Sequence, residues 1–281
     1  MNRILTAIVL IVSVVSLVFF GKLWMITLLA AIVAGLAAYE FRGLSAAVNS
    51  PIPLWWIITA VAVFFYATFQ RPDDTITVVS FATLLLFTWN TFRTPLDRVL
   101  SETAAGLLSL VYIAYPLTLI PRIWTHDDGA ALLLFLFLCV WSGDIAALYI
   151  GKKFGKRKLA PNLSPNKTWA GSIASVIASV VFGMAVVFGG DYLSLHGSNF
   201  TKLHTSEPWW FMLLLAILLN VAAQFGDLLE SALKRGANVK DSGTMLPGHG
   251  GILDRIDALL LAAPVFWFVI VIKEFATPGS F

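Results

Sequence analysis

Trp209-Trp-Phe-Met-Leu-Leu-Leu-Ala-Ile-Leu-Leu-Asn-Val-Ala-Ala-Gln-Phe225 contains no charge, and it is soon followed by Ser231-Ala-Leu-Lys-Arg-Gly-Ala-Asn-Val-Lys-Asp-Ser-Gly-Thr-Met-Leu-Pro-Gly-His-Gly-Gly-Ile-Leu-Asp-Arg-Ile-Asp257. The first stretch has the length and composition of a helix crossing a hydrocarbon core of about 30 Å. The second gathers cations, acids, a histidine and five glycines and leads into another apolar run, Ile252–Ile272. An ionisable residue at mid-membrane costs roughly 2.5–3.5 kcal/mol or more, so residues of this kind are usually retained for function. The fold is read from the first stretch and the chemistry from the second.

Outward from this pair the same grammar repeats. The chain is 58% hydrophobic and 12% charged, against about 45–50% and 25% in soluble domains. Apolar runs at Ile4–Phe20, Leu23–Ala38, Ile52–Phe69, Thr75–Trp89, Ala104–Ile120, Ala130–Ile150, Trp169–Phe188, Trp209–Phe225 and Ile252–Ile272 predict about nine transmembrane helices. A β-barrel would need polar–apolar alternation, which these runs lack, so the expected class is all-α and polytopic. Gly21 and Lys22 alone separate the first two runs, which predicts a tight hairpin in preference to one long tilted helix. Arg3 opens the first run, but no small-x-small cleavage site follows, so it is read as retained. The single cysteine, Cys139, lies within a run and excludes an intramolecular disulfide framework. With no repeat or long linker, 1–281 is read as one membrane domain, with N-terminal helices over 1–121 and the catalytic helices and loops over 122–281.

Positive charge sets the orientation. With the N-terminus inside, the inner segments hold Arg3, Arg42, Arg93, Arg98, Lys152, Lys153, Lys156, Arg157, Lys158, Lys167, Lys234, Arg235 and Lys240. The outer segments hold only Lys22, Arg71, Arg122, Lys202 and Lys273. A cytoplasmic N-terminus therefore follows, and both polar loops, 151–168 and 231–251, fall on the cytoplasmic side. That is where nucleoside triphosphates are found, and clustered cations with free backbone N–H groups suit their phosphates. A basic loop can equally be only a topology determinant or a contact with anionic lipid.

Asp144 lies well inside a span beside Ser142 and Gly143, which predicts either a structural hydrogen bond or a polar cavity reaching in from the cytoplasm. Glu40, near Arg42, is expected at headgroup level with no chemistry attached. Asp227 and Glu230 are three apart and share a helix face, as do Asp254 and Asp257 on the next helix. The connecting loop is long enough to bring the two helix ends together. Four converging carboxylates need protons or countercharge, supplied either by a hard divalent ion or by salt bridges to Lys234, Arg235 and Arg255. The Pro247-Gly-His-Gly-Gly251 turn leads into a helix N-terminus, a favourable setting for an anion. His249 within it suits a phosphate donor, a proton shuttle or a polar interface residue. No Walker loop is present.

The segment 231–257 resembles the signature of the phosphatidate cytidylyltransferases, also called CDP-diacylglycerol synthases. Ser231, Leu233, Lys234, Arg235, Lys240, Asp241, Gly243, Pro247, His249, Gly250, Gly251, Asp254, Arg255 and Asp257 stand where that pattern wants them. Asp144, Ala147, Tyr149 and Gly151, followed by Ser164-Pro-Asn-Lys-Thr168, extend the likeness, whereas Ala170-Gly171 replaces an expected Glu-Gly. Over Met1 to about Pro121 the match is one of apolar helices only. The resemblance implies transfer of the cytidylyl group from CTP to phosphatidate, giving CDP-diacylglycerol and pyrophosphate, with Mg²⁺ as cofactor and room for a second cation. It implies Asp227, Asp254, His249 and Asp257 as catalytic residues, with Asp227, Asp254 and Glu230 at the metal. Asp144, Lys167, Ser231, Lys234, Arg235, Gly250 and Gly251 would hold substrate. Expected partners are CTP, phosphatidate, membrane lipids and a second copy of the chain, with no nucleic acid, in a bacterial inner membrane. The rival class, a transporter or channel, would show paired broken helices in two halves, and no such symmetry is visible.

Overall fold

The computed structural model describes residues 2–71, 74–196, 201–245 and 250–276. Among these residues each apolar run is helical: α1 (Asn2–Phe20), α2 (Leu23–Ala47), α3 (Leu54–Gln70), α4 (Thr75–Arg93), α5 (Val99–Leu108), α6 (Tyr115–Trp124), α7 (Gly129–Phe154), α8 (Trp169–Leu195), α9 (Trp209–Gly236) and α10 (Leu253–Ala276). The chain is an all-α, multi-pass membrane protein with one small addition, an antiparallel hairpin of β1 (Lys158–Ala160) and β2 (Ser164–Thr168) in the basic loop. Among the described residues seven helical rods are long and apolar enough to cross a membrane, whereas α3 and the described part of α1 are shorter. α1 and α2 are separate helices, broken at Gly21–Lys22.

Helices α5 and α6 form one rod through a π-helical turn, Ser109–Ala114. Its cause lies just ahead in Pro116, which brings no N–H to the ladder and crowds the carbonyl four residues back. A widened turn relieves both problems.

Two compact units divide the chain, and helices α9 and α10 each contribute to both. The first comprises residues 1–23, 122–229 and 257–281. Its interior includes Leu133, Phe135 and Leu136 of α7, Ala216 and Leu219 of α9, and Phe266 of α10. Helix α8 shows the membrane pattern most clearly. Ile173, Ile177 and Val181 are each 58% exposed, while Ser175 and Ser179 are buried. Apolar side chains face outward and hydroxyls inward, which is the arrangement lipid favours. Those hydroxyls meet Asn220 of α9, whose Nδ2 donates to Ser175 Oγ at 2.8 Å and to Ser179 Oγ at 2.7 Å. Gln224, one turn on, donates to Asn220 Oδ1 at 2.6 Å and accepts from Ser172 Oγ at 2.5 Å. This polar ladder fixes the rotation of α8 and α9 and leaves Asp227 one further turn along the same face of α9.

The second unit comprises residues 24–121 and 230–256. Ala34, Ala37 and Ala38 of α2 are completely buried, as are Phe64 of α3, Leu86 of α4 and Ile113. Trp56 Nε1 donates to Gly106 O at 3.3 Å, and Asn90 Nδ2 to Thr103 Oγ1 at 3.1 Å.

Candidate active site

The basic loop is built as a hairpin with Lys158 opposite Thr168 and Ala160 opposite Ser164. Thr168 ends β2 and caps α8, its Oγ1 accepting from Gly171 N at 3.2 Å. This satisfies one of the free N–H groups of the first helical turn. The strand and cap together hold Lys167, whose Nζ lies 2.6 Å from Asp227 Oδ2. Their side chains are 22% and 35% exposed, so this cation and carboxylate meet at a surface another anion can reach. Asp257 belongs to the same unit. The α9 and α10 backbones touch there so closely that a Cβ on Gly226 would stand 2.5 Å from Asp257 O. Asp144, also in this unit, is exposed on α7 between buried Gly143 and exposed Ile145.

In the second unit Lys234, on the last turns of α9, is shared by two acids. Its ammonium forms a salt bridge with Glu230 one turn back and lies 2.5 Å from Asp254 Oδ1. The Glu230 side chain is fully buried, that of Asp254 is 8% exposed and that of Lys234 12%. Asp254 Oδ2 accepts from Gly251 N at 2.8 Å, Ser242 N at 3.0 Å and Ser242 Oγ at 3.0 Å. Just beyond the end of α9, Asn238 has a φ of 56°, which reverses the chain so that Val239 N reaches back to Lys234 O. Exposed Arg235 donates from Nη1 to Val239 O at 3.2 Å and braces that exit. Gly250 has φ +79°, a conformation that suits glycine, and brings Gly251 N onto Asp254.

Several expectations change in position. Glu40, expected at headgroup level with no chemistry attached, is enclosed by protein. It is 4% exposed, and its Oε2 accepts from Ser242 Oγ at 3.1 Å and from Leu253 N at 2.9 Å. Arg42 instead donates from Nε to Ile52 O at 2.8 Å. The N–H groups of Gly251 and Leu253, expected to face phosphate, are taken by Asp254 and Glu40. Ser231 is buried. His249 lies outside the described residues. The two polar centres are each internal to their unit, with Asp227 and Asp257 in the first and Glu230 and Asp254 in the second.

Among the described residues no three acids, histidines or cysteines converge as a metal cage. Mg²⁺ does not require one, since it binds through one or two carboxylates and completes its shell with water and phosphate oxygens. The donor chemistry fits such an ion in two places. Asp227 presents a partly exposed carboxylate, and Glu230 Oε1 is sealed from solvent with no hydrogen-bond partner. Asp254 has less capacity to spare, because donors already occupy both of its oxygens.

Sequence reasoning missed Glu40 and the Ser175–Ser179–Asn220–Gln224 ladder. The ladder had a signal, namely amide side chains at four-residue spacing inside an apolar run. Glu40 had only its charge.

The cytidylyltransferase family profile matches residues 1–273. A phosphatidate cytidylyltransferase of Brucella suis is 38% identical over 190 residues, covering 68% of this chain and 62% of the relative's length. That of Haemophilus influenzae is 32% identical, covering 94% and 96%. That of Thermotoga maritima is 34% identical, covering 97% of both chains. A profile matched over almost the entire length, together with relatives aligned end to end, establishes that this chain belongs to the cytidylyltransferase family.

Proposed function

We propose that this chain transfers the cytidylyl group of CTP to phosphatidate, releasing pyrophosphate and leaving CDP-diacylglycerol in the membrane. The observation that carries the reading is the contact of Lys167 with Asp227 at 2.6 Å, at the end of a membrane helix, in a family member of this kind. A phosphate oxygen of the lipid attacks the α-phosphorus of CTP and the bond to the β-phosphate breaks. Both reactants are polyanions, so neutralising and aligning charge is the main demand on the protein, and no protein nucleophile is needed.

Lys167 and exposed Arg235 are assigned to the phosphates. Lys234 is committed to Glu230 and Asp254, so its role is to hold Asp254 in one rotamer. Asp144, costly if it faced lipid, is assigned to a wet, substrate-facing surface. Ser231, Gly250 and Gly251 are assigned to substrate binding in the second unit, Asp257 is assigned an auxiliary role in the first, and His249 keeps its expected auxiliary role. Metal dependence belongs to the same proposal, with Asp227 as ligand in the first unit and Glu230 and Asp254 in the second. When bound, Mg²⁺ would offset charge on phosphate oxygens.

The remaining features follow the positive-inside count: nine crossings, a cytoplasmic N-terminus and substrate-facing loops on the cytoplasmic side of a bacterial inner membrane. A homodimer is part of the same reading. Incubating purified protein with phosphatidate and each of the four ribonucleoside triphosphates tests the assignment. CTP alone should yield a lipid-linked nucleotide; equal use of ATP or GTP would overturn it.

A further inference from the structure

Glu40 belongs to the N-terminal half, where the resemblance extends only to apolar helices, yet its carboxylate lies among the glycines of the C-terminal signature. Oε2 accepts from Leu253 N, the first residue of α10, at 2.9 Å, and from Ser242 Oγ at 3.1 Å. Oε1 is buried with no hydrogen-bond partner. Ideal Cβ atoms on Gly243 and Gly251 would both collide with this carboxylate, in each case within 3.0 Å of its Cδ. Two of the signature's glycines therefore lack side chains where Glu40 needs the room.

Ser242 links Glu40 to the proposed chemistry. Its Oγ lies 3.1 Å from Glu40 Oε2 and 3.0 Å from Asp254 Oδ2, and its N–H donates to Asp254 as well. A hydroxyl has one proton, so the two carboxylates compete for it. Glu40 also neutralises a free N–H at the α10 N-terminus, where a negative charge is favoured by the helix dipole. Anchored by Glu40 on one side and Lys234 on the other, Asp254 has little freedom to change rotamer.

We propose that Glu40 is a positioning residue, a carboxylate strut from α2 that fixes the Ser242 turn and the start of α10 and thereby the orientation of Asp254. It touches no substrate in this scheme. The activity readout rests on the cytidylyltransferase reading, whereas the geometry does not.

Two variants and one exchange measurement test it in the full-length protein. Glu40→Ala should lower kcat by about 10²-fold, the usual cost of a small misplacement at a reacting centre. KM for CTP and phosphatidate, and CTP bound per protein, should stay near wild type. Glu40→Gln keeps the shape and one acceptor oxygen, so it should recover a substantial part of the lost kcat. Hydrogen exchange at 241–245 and 250–256 should be slow in the wild type and faster in both variants. A Glu40→Ala protein with near-normal kcat would overturn the proposal, as would Glu40→Gln no better than Glu40→Ala. If Glu40→Ala does not fold, rapid exchange at 241–245 and 250–256 in the wild type is the overturning result and slow exchange the supporting one. If the wild type makes no lipid-linked nucleotide, the functional reading fails by itself, and the exchange comparison still decides the role of Glu40.

Discussion

Replacing Lys234 with methionine removes one ammonium and leaves two enclosed carboxylates facing each other. Glu230 is fully buried and the Asp254 side chain is 8% exposed, so water can do little to screen them. Removing one partner of a buried pair typically costs about 3–5 kcal/mol, because an uncompensated charge remains. With unfolding entropy of ~2.1 cal/mol/K per residue, that range corresponds to a fall in Tm of roughly 5–9 °C for a chain of this length. Thermal unfolding in detergent, followed by tryptophan fluorescence, measures it. Glu230→Gln in the Lys234→Met background should recover a large part of the loss, because it removes one of the two stranded charges. The coupling would appear as strong non-additivity between neighbours. A Lys234→Met protein as stable as the wild type would refute the reasoning, and so would a double variant that simply sums two losses.

Three further outcomes follow from the same contacts. Asp227→Asn should leave a folded protein with turnover reduced by about 10²–10³-fold, the usual scale for losing one preorganised electrostatic group, as read by lipid-phase radiolabel. Excess EDTA should abolish turnover and added Mg²⁺ should restore it; full activity in chelator would remove the metal assignment. Asn220→Leu cuts its bonds to Ser175, Ser179 and Gln224. The two bonds to α8 are interhelical, and at roughly 0.6 kcal/mol each their summed loss should be about 1 kcal/mol, seen as a lower Tm with kcat little changed.

The helices were legible because lipid leaves few alternatives. Every apolar run became a helix, since no other open structure satisfies its backbone in hydrocarbon. The short hairpin at 158–168 was not legible, because its strands form in a polar loop through pairing and a Thr168 cap, with no periodicity to announce them. In the signature, the acids were read as meeting either a divalent ion or Lys234, Arg235 and Arg255, and spacing could not show that the single ammonium of Lys234 is shared by Glu230 and Asp254. Glu40 failed for a related reason. Its importance depends on a partner 202 residues away, and a lone acid near the end of a span looks the same whether it meets headgroups or a glycine-lined pocket. The N–H groups around the start of α10 were expected to face phosphate, and spacing could not show that Asp254 and the distant Glu40 accept from them instead.

The most direct test of the central claim follows the phosphorus atoms. Purified protein in mixed micelles with phosphatidate is given CTP labelled at the α-phosphate or, separately, at the γ-phosphate. Cytidylyl transfer predicts that the α label moves into the lipid phase as CDP-diacylglycerol, while the γ label stays in water as pyrophosphate in equal amount. Label from the γ-phosphate entering the lipid, or no lipid label at all from folded protein supplied with Mg²⁺, would contradict it.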